Sequence, residues 1–398
     1  MIQAADLYQH PNALAPDYSR FRVGERLLLT GHSHQAWPDR GFDGQVRAWQ
    51  DAAEHVDHKW EFAFTAAKRV RQGYAALLGD VPERIALGAN THDLVVRLLS
   101  GLALRDRPRI VTTDGEFHTL RRQLDRLTEE GIEVVKVSST PPDQLPDRLV
   151  EAVNDRTAAV FVSCVLYENA RIVAGLGDVL NATRQVGAEL VVDAYHALNV
   201  VPFSLVEEGL VGAYVVGGGY KYCQLGEGNA FLRFPADCAM RPVLTGWFSE
   251  FSALSGGPAR SVVYGEGPDR FAGATYDPTS HYRAAEVFDF FTERHLTPEL
   301  LRDVSQHQVA LLAGAFDRLD LAPELLTRDR SAPLEQTGGF LALETPYAAE
   351  VWRSLLDRGV HTDYRETTLR LGPAPYLSDH QLVMAMDALA EVAFEMRG

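Results

Sequence analysis

Short, almost wholly apolar runs alternate along this chain with longer stretches of helical periodicity, and that alternation leaves few folds open. RIALG precedes HDLVVRLLSGLAL, and RIVTTD precedes TLRRQLDRLTEEG. EVVKV, AAVFVSCV, ELVVDAY, AYVVGGGY and NAFLRF follow. A strand apolar on both sides must be covered on both sides, and parallel neighbours need a crossover long enough to hold a helix. The pattern therefore predicts an α/β fold, a mostly parallel sheet between helices. From about residue 283 the texture changes to one long helical stretch, RAAEVFDFFTERHLTPELLRDVSQHQVALLAGAFDRL. Isolated strand-like pieces (GGFLALET, TLRLGPA) and a last helix, HQLVMAMDALAEVAFEMRG, come after it. We expect an N-terminal segment, 1–50, packing on both domains, a large domain over 51–282, and a smaller α+β domain over 283–398. The Gly-, Ser- and Pro-rich stretch 251–280 reads as a long ordered loop.

With 398 residues, 46% of them hydrophobic, the chain is long enough for two cores. The net charge of −16 and the lack of any Lys/Arg run exclude a nucleic-acid binder and favour small-molecule partners. Cys164, Cys223 and Cys238 have neither disulfide-framework nor CxxC spacing, as expected of reduced thiols in a cytoplasm. No apolar run approaches about 20 residues, and the first residues lack a signal-peptide pattern, so the reading is soluble and unexported. His32 and His34 form a tight pair without a third ligand nearby, and no metal is assigned.

The stretch GGGYKYCQLGEG, 217–228, sets Lys221 among five glycines. A lysine at a strand end ordinarily forms a salt bridge or snorkels to solvent. One that forms a Schiff base must be partly desolvated, and the glycines would give a flat cofactor room. About 28 residues upstream, Asp193 closes an apolar strand, at the sheet edge where α/β proteins bind ligands. A carboxylate that keeps a pyridinium nitrogen protonated, followed by a lysine that holds an aldehyde, is what a pyridoxal 5'-phosphate (PLP) site requires.

The block DAYHALNVVPFSL followed by GGGYKYCQLGEGNAFL resembles the class V branch of the fold-type I PLP-dependent (aminotransferase) superfamily, and within it the kynureninases. The resemblance runs from about residue 27 to the end of the chain. It implies that Lys221 carries the cofactor aldehyde, Asp193 pairs with the ring nitrogen, His196 lies near the cofactor and Tyr220 contacts its phosphate. By the same resemblance Asn90 and Thr91, at a helix start, supply phosphate donors. Phe117 stacks on the ring and Ser163 contacts the cofactor. Trp247 and Thr275 reach the phosphate of a partner subunit, which makes the protein a homodimer. Arg370 grips the substrate carboxylate, with Arg365 as runner-up.

The chain departs from the kynureninase pattern at His32 and His34, in the segment TGHSHQAWPD where His32 and Ser33 would face substrate. Leu120 stands where an Asp is usual, and Glu250 where a His is usual. The implied reaction is hydrolysis of a Cβ–Cγ bond in kynurenine or 3-hydroxykynurenine, releasing alanine. Lys221 would move protons, and Tyr220 would assist. The alternatives are a class V aminotransferase, another PLP-dependent lyase, and a binding protein without catalysis. A desulfurase is disfavoured because GVHTDYRETTLR, the loop before the arginine, has no cysteine.

Overall fold

The computed structural model describes residues 2–256 and 261–396, with nothing said of the side chains at 252–256; part of the expected loop, 257–260, lies outside the described residues. Twelve strands are present among them. In chain order they are β1 (Leu27–Leu28), β2 (Ile85–Gly88), β3 (Arg109–Thr113), β4 (Glu133–Val137), β5 (Thr157–Ser163), β6 (Glu189–Asp193), β7 (Tyr214–Gly218), β8 (Ala230–Arg233), β9 (Leu341–Glu344), β10 (Val360–His361), β11 (Asp363–Arg365) and β12 (Thr368–Leu371).

Seven strands form one sheet in the order β2-β8-β7-β6-β5-β3-β4. Only β8 runs against its neighbours, so the sheet is mostly parallel as expected. Side chains alternate between its faces. Val160, Val162, Leu190, Val192 and Val215 enter one core; Ala159, Phe161, Val191, Tyr214 and Val216 enter the other. Each fully buried valine or leucine contributes about 1.5–3 kcal/mol, which explains why the central strands carry no polar face. EVVKV corrects the expectation of strands covered on both sides. It forms edge strand β4, where no residue is fully buried and Lys136 points outward to pair with Asp125.

The long helical stretch from residue 283 is interrupted once. It becomes the helices Thr279–Glu293 and Pro298–Arg318. His295 takes a left-handed φ of 56°, and Thr297 caps the second helix with Pro298 at its first position. Beyond it, β11, β12 and β9 make a small antiparallel sheet. Strand β1 pairs in parallel with β10, a bridge joins Thr30 to Gly372, and the helix Asp39–His55 packs on Thr279–Glu293. No helix among the described residues is long and apolar enough to cross a membrane.

Candidate active site

The parallel strands β5, β6 and β7 end side by side, with Ser163 in register with Asp193 and Asp193 with Val216. A cavity of about 280 Å³ opens over these ends. Eight of the residues singled out in the sequence line it together: Asn90, Thr91, Phe117, Ser163, Asp193, His196, Tyr220 and Lys221. Leu120 lines it too, where a carboxylate was the usual residue.

Local folding fixes each group. Asn90 leaves β2 in extended backbone and caps the helix Thr91–Gly101, its side-chain oxygen accepting from the Asp93 amide at 2.9 Å. Asn90, Thr91 and His92 line the cavity, which brings the helix start, the positive end of its dipole, into the cavity wall. Phe117 is the capping position of His118–Glu129, which holds its ring 5.3 Å from the Lys221 Nζ.

Lys221 is 6% exposed. Its Nζ lies 2.6 Å from His196 Nε2 and 4.9 Å from the Tyr195 ring centre. Burial lowers its pKa to about 7; Asp193 opposes that shift and the Arg370 charge adds to it. Burial likewise holds His196 neutral, with the Lys221 charge acting in the same direction. The amine therefore donates to His196 Nε2, which leaves the buried Nδ1 without a partner among the described residues. Asp193 is raised by burial, against a 2.8 Å hydrogen bond from the Tyr195 amide and the Lys221 charge.

The glycines act differently from the expectation that they clear space for a cofactor. A Cβ at Gly218 would collide with the Tyr195 ring, one at Gly219 with Leu225, and one at Gly217 would lie 2.8 Å from Phe231. They let Tyr195 and Leu225 close around the turn that carries the buried Lys221. Only Gly226 and Gly228 serve conformation, at φ of 67° and 87°.

Arg370 is one residue removed from the cavity. Opposite it across the β11–β12 hairpin stands Asp363, which takes hydrogen bonds from Nε at 2.9 Å and NH2 at 2.5 Å. NH1 donates to the carbonyl of Tyr167, a cavity residue, at 2.7 Å. His32, fully buried, approaches the same Asp363 at 2.6 Å. Burial pushes His32 down to about 4, so it is neutral and donates from Nε2. Burial alone would raise Asp363, but the His32 hydrogen bond and the Arg370 fork hold it well below the carboxylate range. Arg365 is more exposed and donates to the Tyr364 carbonyl.

The other predicted residues lie elsewhere. Ser33 turns back to the Thr30 carbonyl at 3.1 Å, and His34 stacks on Tyr220 with ring centres 4.9 Å apart. Trp247 is 44% exposed beside Phe248 and Phe251. Thr275 lines a second cavity, about 960 Å³, which shares Ala89, Glu227 and Gly228 with the first. Neither reaches Lys221 of its own chain by lining that cavity. Tyr195, Tyr167, Asp363 and Glu116 were missed. Of these, Asp363 carried a readable signal, since a two-residue hairpin turn at Glu366 and Thr367 puts it directly across from Arg370. Among the described residues no group of three or more His, Cys, Asp or Glu is placed to hold a metal.

No protein-family model matches the chain. It is 24% identical over 350 residues to an uncharacterized aminotransferase of Bacillus subtilis, YcbU, covering 86% of this chain and 89% of that one. It is 28% identical over 353 residues to a kynureninase of Burkholderia mallei, covering 84% and 78%. Among solved structures, a C-DES mutant with glycine covalently linked to its PLP cofactor superposes with a TM-score of 0.82 at 14% identity, covering 94% of this chain and 98% of that one. A cysteine desulfurase of Thermococcus onnurineus superposes with a TM-score of 0.80 at 15% identity, covering 97% and 98%. With its mostly parallel seven-stranded sheet, its flanking helices and these superpositions, the chain has the fold of the fold-type I PLP-dependent enzymes.

Proposed function

We propose that the chain is a PLP-dependent class V enzyme acting on an amino acid, and that its reaction is kynureninase-like hydrolysis of a Cβ–Cγ bond. The observation that carries the cofactor reading is the meeting of Lys221 and Asp193 in one cavity, beside an open helix start. The residues fit the group. Lys221 has no carboxylate ion pair among the described residues and is desolvated to the point where its amine is partly neutral. Lys221 would hold the aldehyde, Asp193 the ring nitrogen, Phe117 the ring face, and Asn90, Thr91 and Tyr220 the phosphate. When bound, PLP supplies an electron sink that acidifies the substrate Cα.

The chain's own groups do the rest. The Lys221 amine takes the Cα proton and returns one, a role open only to an uncharged amine. The Tyr220 hydroxyl, whose pKa burial raises, keeps its proton and serves as an acid. Asp363 takes Nε and NH2 of Arg370 and the Tyr167 carbonyl takes NH1, so a substrate α-carboxylate would meet the one N–H left on each of NH1 and NH2. Phe117, Tyr195 and Tyr167 exclude water from the reacting carbon.

The kynureninase reading draws on the 28% identical relative and on the absence of cysteine from GVHTDYRETTLR. Burial also raises the Cys223 thiol to about 12, which removes it as a nucleophile. The aminotransferase alternative draws on the 24% identical relative. Incubation with kynurenine or 3-hydroxykynurenine separates them. Release of alanine with an aryl acid supports the hydrolase, and conversion of the cofactor to its amine form with a keto acid supports the aminotransferase. A protein that takes up no PLP would sink both. We further propose a cytoplasmic homodimer, with Trp247 and Thr275 serving the partner's site.

A further inference from the structure

Behind Ser163 lies a carboxyl that the mechanism above does not use. Glu116 is 2% exposed, in the turn between β3 and the helix His118–Glu129. Its Oε1 accepts from the Thr113 hydroxyl at 2.7 Å and the Ser163 amide at 3.1 Å, and its Oε2 lies 2.7 Å from the Ser163 hydroxyl. No cation pairs with it among the described residues. The titratable groups on the elements packed around it are Asp114 after β3, His118 at the start of the following helix, Cys164 after Ser163, Tyr167 against Phe117 and His118, Asp193 at the end of β6, and Lys221 across the cavity.

A 2.7 Å separation between two oxygens admits a proton on either one. With Glu116 ionised, the Ser163 hydroxyl must point at Oε2, and Ser163 offers the cavity lone pairs only. With a proton on Oε2, Glu116 donates to Ser163 Oγ, and the hydroxyl hydrogen is released to point into the cavity. One proton taken from solvent is the whole difference between the two states.

We propose that Glu116 is a positioning residue that, by holding or releasing one proton, sets whether Ser163 presents a donor or an acceptor to a ligand lying over Asp193. The proposal rests on the PLP reading of that cavity. A neutral Glu116 also leaves Asp193 as the nearest anion to a cationic ring nitrogen, so the two carboxyls do not compete for one charge. Burial raises Glu116 to about 7, and the Asp193 charge adds to this while the Ser163 and Thr113 hydrogen bonds oppose it.

The test compares wild type with Glu116→Gln, whose amide donates to Ser163 permanently, and with Ser163→Ala. In the PLP-loaded proteins the visible band is followed from about pH 5.5 to about pH 8.5. We expect Glu116→Gln to form the band, but with the wild-type low-pH position kept throughout that range, and Ser163→Ala to lose the same pH response. In the apoproteins urea unfolding is followed over the same range. A carboxyl raised in the folded state stabilises fully below its unfolded value, and that contribution is lost as pH rises through about 7. Between about pH 5.5 and about pH 8.5 the wild-type folding equilibrium should therefore fall about thirtyfold relative to Glu116→Gln. Band profiles of wild type and Glu116→Gln that superimpose would overturn the proposal, as would a persistent response in Ser163→Ala should Glu116→Gln not fold. A wild type that takes up no PLP would overturn the cofactor reading instead, and the apoprotein comparison would still decide the state of Glu116.

Discussion

Lys221 and Arg370 are both buried cations, and they differ in what compensates their charge. Lys221 has aromatic rings and a neutral histidine around it. Lys221→Ala should abolish the visible PLP band and reduce turnover by about 10³-fold or more, read by absorbance and product assay. The same burial makes apoprotein stability depend on pH. The folded pKa lies below the unfolded one, so a buried ammonium opposes folding below about 7, and this penalty lifts as pH rises toward the unfolded value. Urea midpoints of wild type should rise relative to Lys221→Met between about pH 7 and about pH 9. Arg370, by contrast, is held in a fork by Asp363, and removing it leaves that carboxylate poorly compensated. Arg370→Ala should cost about 3–5 kcal/mol of stability. Arg370→Lys keeps the charge without the fork, and should raise KM for the amino acid about tenfold or more with a smaller change in kcat. An unchanged KM in that variant would remove Arg370 from carboxylate binding.

At the scale of elements, the cap of the helix Thr91–Gly101 is also the residue proposed to hold the cofactor phosphate. Asn90→Ala deletes its cap and should lower stability by about 1 kcal/mol, measured by urea unfolding, while weakening PLP retention in gel filtration. This helix start was legible because a cap residue precedes an apolar 3.6-residue period. Strands β5, β6 and β7 were legible because both their faces are buried, so the sequence shows unbroken apolar runs. Burial on both faces left no polar mark to locate Glu116, which reads in sequence as an ordinary acid near a helix start. The edge position of β4 was partly written in Lys136, a charge no covered strand would carry. What sequence could not supply was the role of the glycines, because the side chains that fill their space, Tyr195, Leu225 and Phe231, meet them only in three dimensions.

Across the whole molecule, Trp247, Phe251 and Phe64 form a connected aromatic surface with exposures of 44%, 47% and 38%, at the rim of the second cavity. We propose that a second copy of the chain covers this apolar patch. Sedimentation velocity at about micromolar concentration should find a dimer, and Phe251→Asp should shift it to monomer. A monomeric wild type would remove the partner roles of Trp247 and Thr275. The arginine end of the cavity draws on distant parts of the chain: β1 pairs with β10, Thr30 bridges Gly372, and His32 meets Asp363 across 331 residues. A ribosome delivers these partners at opposite ends of a long interval. The sheet with Asp193 and Lys221 can condense while synthesis continues, but the corner where Arg370 meets Asp363, which we propose binds the substrate carboxylate, must wait for β10 to β12. A nascent chain halted before β10 would therefore carry the cavity of Lys221 and Asp193 without the arginine proposed to select an amino acid.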